Sequence, residues 1–187
     1  LGFLKSLELL SDDELHGLEE AAEFLGVLEI TPMARSFKMV TLLAMLNEDR
    51  FPGSIDIENL VTAVQRACAH QSRVANDFGL DVQNRAALRQ SLEVNPINAW
   101  VVGAGTGGQK YFLYEGDVFS SALSVGASSR DTLQSLVREL AEWRLAEYFD
   151  KSTAPTDGSY LIKVNRANGS PILMPLNREQ NAGIPEG

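Results

Sequence analysis

The sequence predicts a mainly helical α+β chain: a three-helix unit followed by a glycine-rich β-hairpin, a long helix clamping that unit, and a second hairpin at the C-terminus. Three observations carry this. Apolar residues recur at helical spacing in the segments 11–26, 36–46, 56–68, 83–93 and 128–150. Aromatic residues then alternate over 109–116, which is strand chemistry. Finally, Asn168-Gly169 stands between two apolar runs, the strongest short-range hairpin signal in the chain.

Taken in order, Ser11-Asp12-Asp13-Glu14 reads as a capping box, the Ser11 hydroxyl accepting from the N3 amide and Glu14 reaching back. Leu15, Leu18, Ala22 and Leu25 follow on one face, and Gly26 is expected to stop the run. Thr31-Pro32 marks a boundary. The helix over 36–46 is apolar most of the way round and is expected to be the most buried. After the turn-rich 47–53, Asp56 is the expected N-cap of a helix whose inward stripe is Ile57, Leu60, Val61, Val64 and Cys68. Residues 70–82 read as polar and irregular. A shorter helix over 83–93 turns Ala87, Leu88 and Leu92 inward and Arg85, Arg89 and Gln90 outward, and Asn95-Pro96 ends it.

The run Val101-Val102-Gly103-Ala104-Gly105-Thr106-Gly107-Gly108 has the look of a dinucleotide fingerprint. Such a fingerprint works only where a strand feeds the glycines and a helix leaves them, because the pyrophosphate rests on that helix's N-terminus. A strand leaves here. The expectation is therefore a hairpin with a long glycine tip, with 117–125 supplying the returning strand; a nucleotide site would require a helix starting at Gly107 or Gly108. Ser128-Ser129-Arg130-Asp131 caps the long helix, with Leu133, Leu136, Val137, Leu140, Trp143 or Arg144, and Tyr148 on one broad face. Residues 152–159 form a linker, and 160–176 form the last hairpin. The expected organisation is an acidic N-terminal helix and linker (1–30), a winged-helix-like domain (31–151), and a linker with a hairpin that begins a further module (152–187). The chain opens at Leu1 and closes at Gly187, and both ends are expected to be cut from something longer.

Composition narrows the function. Hydrophobic residues at 44% and charged residues at 22% fit a soluble globular protein, and no apolar run approaches the ~20 residues that span a bilayer. The single cysteine, Cys68, excludes an internal disulfide and points to a buried thiol in a reducing cytoplasm. His16 and His70 have no partners at ligand spacing, so no metal or other cofactor is expected. There is no P-loop. An acid-x-Lys nuclease pattern fails because no acid stands two residues before Lys163, and Glu48-Asp49 beside Arg50 reads as solvated or ion-paired. The fragment is therefore not expected to be an enzyme. The net charge of −9 is concentrated in residues 1–30, where one lysine faces eight acids for a net of −7. That leaves −2 for the remainder.

If the helix over 83–93 is the third of a winged helix, it is the one expected in the major groove, presenting Arg85 and Arg89 four residues apart with Asn84 and Gln90 beside them. Lys110, Thr106 and Gln109 near the glycines are the natural wing contacts. Arg35 and Lys38 offer a further phosphate anchor.

The runs MARSFKMVTLLAML (33–46), FPGSI (51–55), NPINAW (95–100) with the glycine segment, and WRLAEY (143–148) resemble a region downstream of the motor in large bacterial DEAD/DEAH-type superfamily II helicases, many of them linked to restriction or phage defence. The 36–44 run is also similar to the helix that opens sulfur-binding domains, with Phe37-Lys38-Met39 standing where that helix has His-Lys-Pro. These resemblances imply a DNA-binding or specificity accessory module, the DNA possibly modified, with the ATPase elsewhere in the parent helicase-like chain. The residues themselves leave a second expectation open: a protein–protein interaction or scaffolding module of the same parent, favoured by the acidic N-terminal helix.

Overall fold

A computed structural model describes residues 19–153, 160–164 and 171–175, with side chains described over 21–151. The chain is α+β and mostly helical. Its elements are α1 (Glu19–Ile30), α2 (Phe37–Asn47), β1 (Ser54–Asp56), α3 (Ile57–His70), α4 (Ser72–Phe78), α5 (Arg85–Leu92), α6 (Asn98–Val101), β2 (Phe112–Glu115), β3 (Val118–Ser121), α7 (Arg130–Thr153), β4 (Tyr160–Val164) and β5 (Pro171–Pro175). A π turn, Glu93–Ile97, joins α5 to α6. Internal contacts divide the chain into two units, Leu1–Phe149 and Asp150–Gly187.

The helices form where the apolar spacing places them. α2 buries nine of its eleven residues, as its all-round apolar sequence requires. In α3 the Asp56 carboxylate accepts the Glu58 amide at 2.8 Å, and Ile57, Leu60, Val61, Val64 and Cys68 all face the core. α1 differs from its expected form. It continues through Gly26 to Ile30, and its buried stripe is Ala21, Phe24, Leu25 and Leu28, while Ala22 is exposed. The Ser11 capping box lies outside the described residues. Residues 70–82, expected to be irregular, contain α4, which is anchored by buried Val74 and by Phe78 stacked on Phe37 at 4.2 Å between ring centroids.

The sheet order is β1-β3-β2, antiparallel throughout, with Ile55 opposite Phe119 and Phe119 opposite Tyr114. Ser54–Asp56, read in the sequence as the approach to a helix, adds the third strand. The glycine run is not the tip of the hairpin. Trp100 lies in α6, the chain turns through Val102–Gln109, and only then enters β2. The actual tip is Gly116-Asp117, with φ of 55° and 64°, the positive values that a two-residue type I′ turn needs at both positions. The glycines serve the loop itself: a Cβ on Gly103, which has φ 74°, would lie 2.8 Å from the carbonyl carbon of Gly108.

Rings from separate segments meet in the core. Phe24 of α1 contacts Phe51, Trp100, Tyr111 and Phe112 at centroid distances of 5.2–6.2 Å, and Phe112 stacks on Phe119 at 4.9 Å. α7 lies along this unit. It buries Leu133, Leu136, Val137, Leu140, Ala141 and Leu145, and Gln134 donates to the Phe51 carbonyl at 2.7 Å. Where the sequence left Trp143 and Arg144 as alternatives, Arg144 turns in, its side chain 12% exposed and donating to the Thr31 carbonyl at 2.5 Å, while Trp143 is 48% exposed. In the second unit β4 and β5 pair antiparallel, Ile162 opposite Leu173; the Asn168-Gly169 turn lies outside the described residues.

Removing the Phe24 ring would leave a hole bounded by four other aromatic side chains. Phe24→Ala is therefore expected to cost about 3–5 kcal/mol in a urea unfolding titration. A loss below about 1 kcal/mol would mean that α1 is not part of this core.

Candidate functional site

The candidate reading helix is α5. Asn84, expected as a base contact, is its N-cap: Asn84 Oδ1 accepts the Ala87 amide at 3.2 Å. Arg85 and Arg89 share a face of α5, but that face is turned onto α3 and the hairpin. The Arg85 Nη2 donates to Glu58 Oε2 at 2.8 Å and to the Glu58 carbonyl at 3.1 Å, and Nη1 donates to Thr62 Oγ1 and Gln65 Oε1. The Arg89 guanidinium reaches three acids: Nη1 to Glu58 Oε1 at 3.2 Å, Nε to Glu93 Oε1 at 3.0 Å, and Nη2 to Asp117 Oδ1 at 2.7 Å. Glu93 also accepts from the Tyr114 hydroxyl at 2.7 Å. Gln90 is exposed.

Two guanidiniums thus face three carboxylates, and the local balance is negative. The titration behaviour follows. Hydrogen bonds from Arg85 and then Arg89 hold the Glu58 carboxyl below its ordinary value. Burial pulls the Arg89 value down, but the hydrogen bonds that Arg89 donates to Glu93 and Glu58 outweigh it, and the net shift is upward. Burial, then the Glu93 carboxylate, pushes the Tyr114 phenol up. Of this network the sequence carried one readable sign, the i,i+4 spacing of Arg89 and Glu93. Glu58 and Asp117 come from elements whose relative placement only the fold decides.

The expected wing contacts divide between a buried residue and two exposed ones. Thr106 is 3% exposed, and its hydroxyl donates to the Gln109 carbonyl at 2.6 Å, closing the loop ahead of β2. The Gln109 side chain is exposed, and Lys110 is exposed beside β2, away from the Gly116-Asp117 tip.

Arg35 and Lys38 have separate roles. The Arg35 Nη1 pairs with Asp77 Oδ1 at 3.3 Å, and the Ser36 amide and the Tyr148 hydroxyl donate to the same carboxylate at 2.7 and 2.9 Å. Asp77, whose side chain is only 9% exposed, therefore ties α4 to the start of α2 and to α7. Burial raises its pKa, but the bonds from Ser36, Tyr148 and Arg35 prevail and the net shift is downward. Lys38 is buried. Its Nζ donates to the Ala104 carbonyl at 2.5 Å and to Thr31 Oγ1 at 3.3 Å and lies 4.9 Å above the Trp100 ring, while burial lowers its pKa. A cleft of about 270 Å³ opens beside it.

Cys68 is buried and its thiol is pushed up to about 11, so it is a thiol and not a nucleophile near neutral pH. Among the described residues no group of His, Cys, Asp and Glu is placed to hold a metal ion, and no helix is long and apolar enough to cross a membrane. Comparison with known protein families, curated proteins and solved structures yields no match for this chain.

Asp77 is the most consequential of these acids for stability. Asp77→Ala is expected to cost about 2–3 kcal/mol in denaturant unfolding, because it strips partners from three charge-assisted bonds. Because its folded pKa lies below the ordinary 3.8, its contribution is complete above 3.8 and is lost as the pH falls through the lowered value. The wild type should therefore lose more stability than Asp77→Asn on acidification below 3.8.

Proposed function

We propose that this chain is a non-catalytic, winged-helix-like module of a larger DNA-processing protein, and that it works by holding protein surfaces and not by reading duplex DNA. Support for the architecture comes from the connectivity: a helix, a strand, further helices and a terminal hairpin, with the sheet in the order β1-β3-β2. The single observation that carries the choice of partner is the engagement of Arg85 and Arg89 by Glu58, Glu93 and Asp117. A phosphate-binding helix gains affinity by releasing counterions from DNA, which takes cationic charge in excess. Here the acids outnumber the arginines, and the turn between the strands carries Asp117. Outside residues 1–30 the chain carries a net of −2, so it has no cationic excess either.

The outer face of the sheet suits a protein partner better. Leu113 and Val118 are exposed there beside Glu115, Asp56 and the small Ser54 and Ser120. Leu113 on the edge strand and Val118 on the central strand are the apolar side chains of this face that a transient protein partner would cover. A DNA-contacting role remains the second reading. The sheet order favours it, with Gln90, Lys110 and an opened Arg85–Arg89 pair as its contacts.

The two readings part on salt. The 187-residue chain, titrated against labelled duplex, single-stranded and phosphorothioate-modified DNA, is expected to show no affinity that depends on ionic strength. A DNA-binding role would appear as binding that weakens at least tenfold between about 50 and 200 mM salt. If that binding also vanished in the Arg85→Ala/Arg89→Ala variant while its Tm held, the proposal would be overturned.

A further inference from the structure

The cleft beside Lys38 is not used by the docking reading, and its chemistry is unlike the rest of the surface. Three separate stretches of chain build it: the start of α2 with the residues before it, the π turn with α6, and the glycine loop. Its walls are small and mostly apolar, from Pro32, Ala34, Ala99 and Gly105, with Arg35 and Asn95 as polar lining groups. Gly105 lets the glycine loop close against Thr31 and Pro32, which brings the loop to the edge of the cleft. A Cβ there would lie 2.9 Å from Pro32 Cδ and 3.4 Å from Lys38 Nζ, and the backbone φ of 77° suits glycine.

Lys38 gives the cleft its character. The residue is 8% exposed, yet among the described residues the ammonium is met by a carbonyl oxygen, a hydroxyl and the face of Trp100. Among the described residues no carboxylate stands within ion-pair distance of it. A cation taken out of water is costly unless an opposite charge accompanies it. Neutral acceptors and the cation–π contact offset part of that cost and leave the charge uncompensated. Arg35, the other cation of the lining, is itself balanced by Asp77. One positive charge therefore faces an apolar cleft without its counterpart.

We propose that this cleft binds a small organic anion, a single carboxylate or phosphate group on a compact apolar body, with Lys38 as its counter-charge. The anionic group takes the Lys38 ammonium and the Asn95 amide, and the apolar body rests on Pro32, Ala34 and Ala99. At about 270 Å³ the cleft lies just under the range of ordinary small-molecule pockets, which suits a molecule of few heavy atoms and excludes a dinucleotide.

The test is thermal melting of the full chain in butyrate, in inorganic phosphate and in chloride at matched ionic strength, repeated on two variants. Lys38→Met removes the charge and keeps the stem; Ala34→Trp, at an exposed position on the rim, fills the cleft and leaves Lys38 in place. The expected result is a saturable rise in Tm with butyrate or phosphate beyond that with chloride, and binding roughly ten- to a hundredfold weaker in each variant. A rise that persists unchanged in both variants is the general stabilisation produced by excluded salts and overturns the proposal. So does the absence of any saturable rise in the wild type. Should Lys38→Met fail to fold, Ala34→Trp alone decides between these outcomes.

Discussion

The first unit depends on one cluster of rings. Phe24, Phe51, Trp100, Phe112 and Phe119 are all fully buried, and each comes from a different place: α1, the loop after α2, α6, β2 and β3. Aromatic side chains each remove some 150–250 Å² from water, so this cluster outweighs any polar contact on the surface. It joins the N-terminal helix and the hairpin to the helical body as a single core. Of the acidic stretch set apart in the sequence by its charge, the described part is α1, and its inner face, Ala21, Phe24, Leu25 and Leu28, belongs to the same core.

The position of the hairpin has a chemical consequence at α5. With Phe112 and Phe119 anchored below, the Gly116-Asp117 turn delivers a carboxylate to Arg89 at 2.7 Å. The N-cap of α3 likewise fixes Glu58, two residues further on, between Arg85 and Arg89. The arginines are thus engaged by acids at the surface because the apolar core has already placed the elements that carry those acids. A surface ion pair alone contributes little, but a network joining two helices, a π turn and a hairpin has its geometry set by packing. In this account α5 contributes to the cohesion of the domain.

Much of this was legible in the residues. The all-round apolar character of α2, the Asp56 cap and inward stripe of α3, the strand after the glycines and the pairing of β4 with β5 follow from periodicity and turn chemistry. What periodicity could not give was anything decided by distant partners. β1 is three residues long and is a strand only because β3 lies beside it. α4 has two apolar anchors, too few to make a pattern. The glycines read as a hairpin tip in the sequence because glycine signals a reversal of the chain and not where that reversal packs. Arg85 and Arg89 do lie outward, Arg85 exposed, but their spacing does not report the acids of α3, the π turn and the hairpin that engage them there. Helical spacing reports which residues share a face, and says nothing of what another element lays against it.

The central claim is that the α5 arginines belong to the fold. It is tested most directly by a double-mutant cycle between Arg89→Met and Glu58→Gln, read as urea midpoints of the full chain. If the two residues act as parts of one network, each single variant lowers the midpoint and the double variant loses less than the two losses added. Losses that simply add, or single variants whose midpoints equal that of the wild type, would contradict the account and return Arg85 and Arg89 to the pool of side chains available to a ligand.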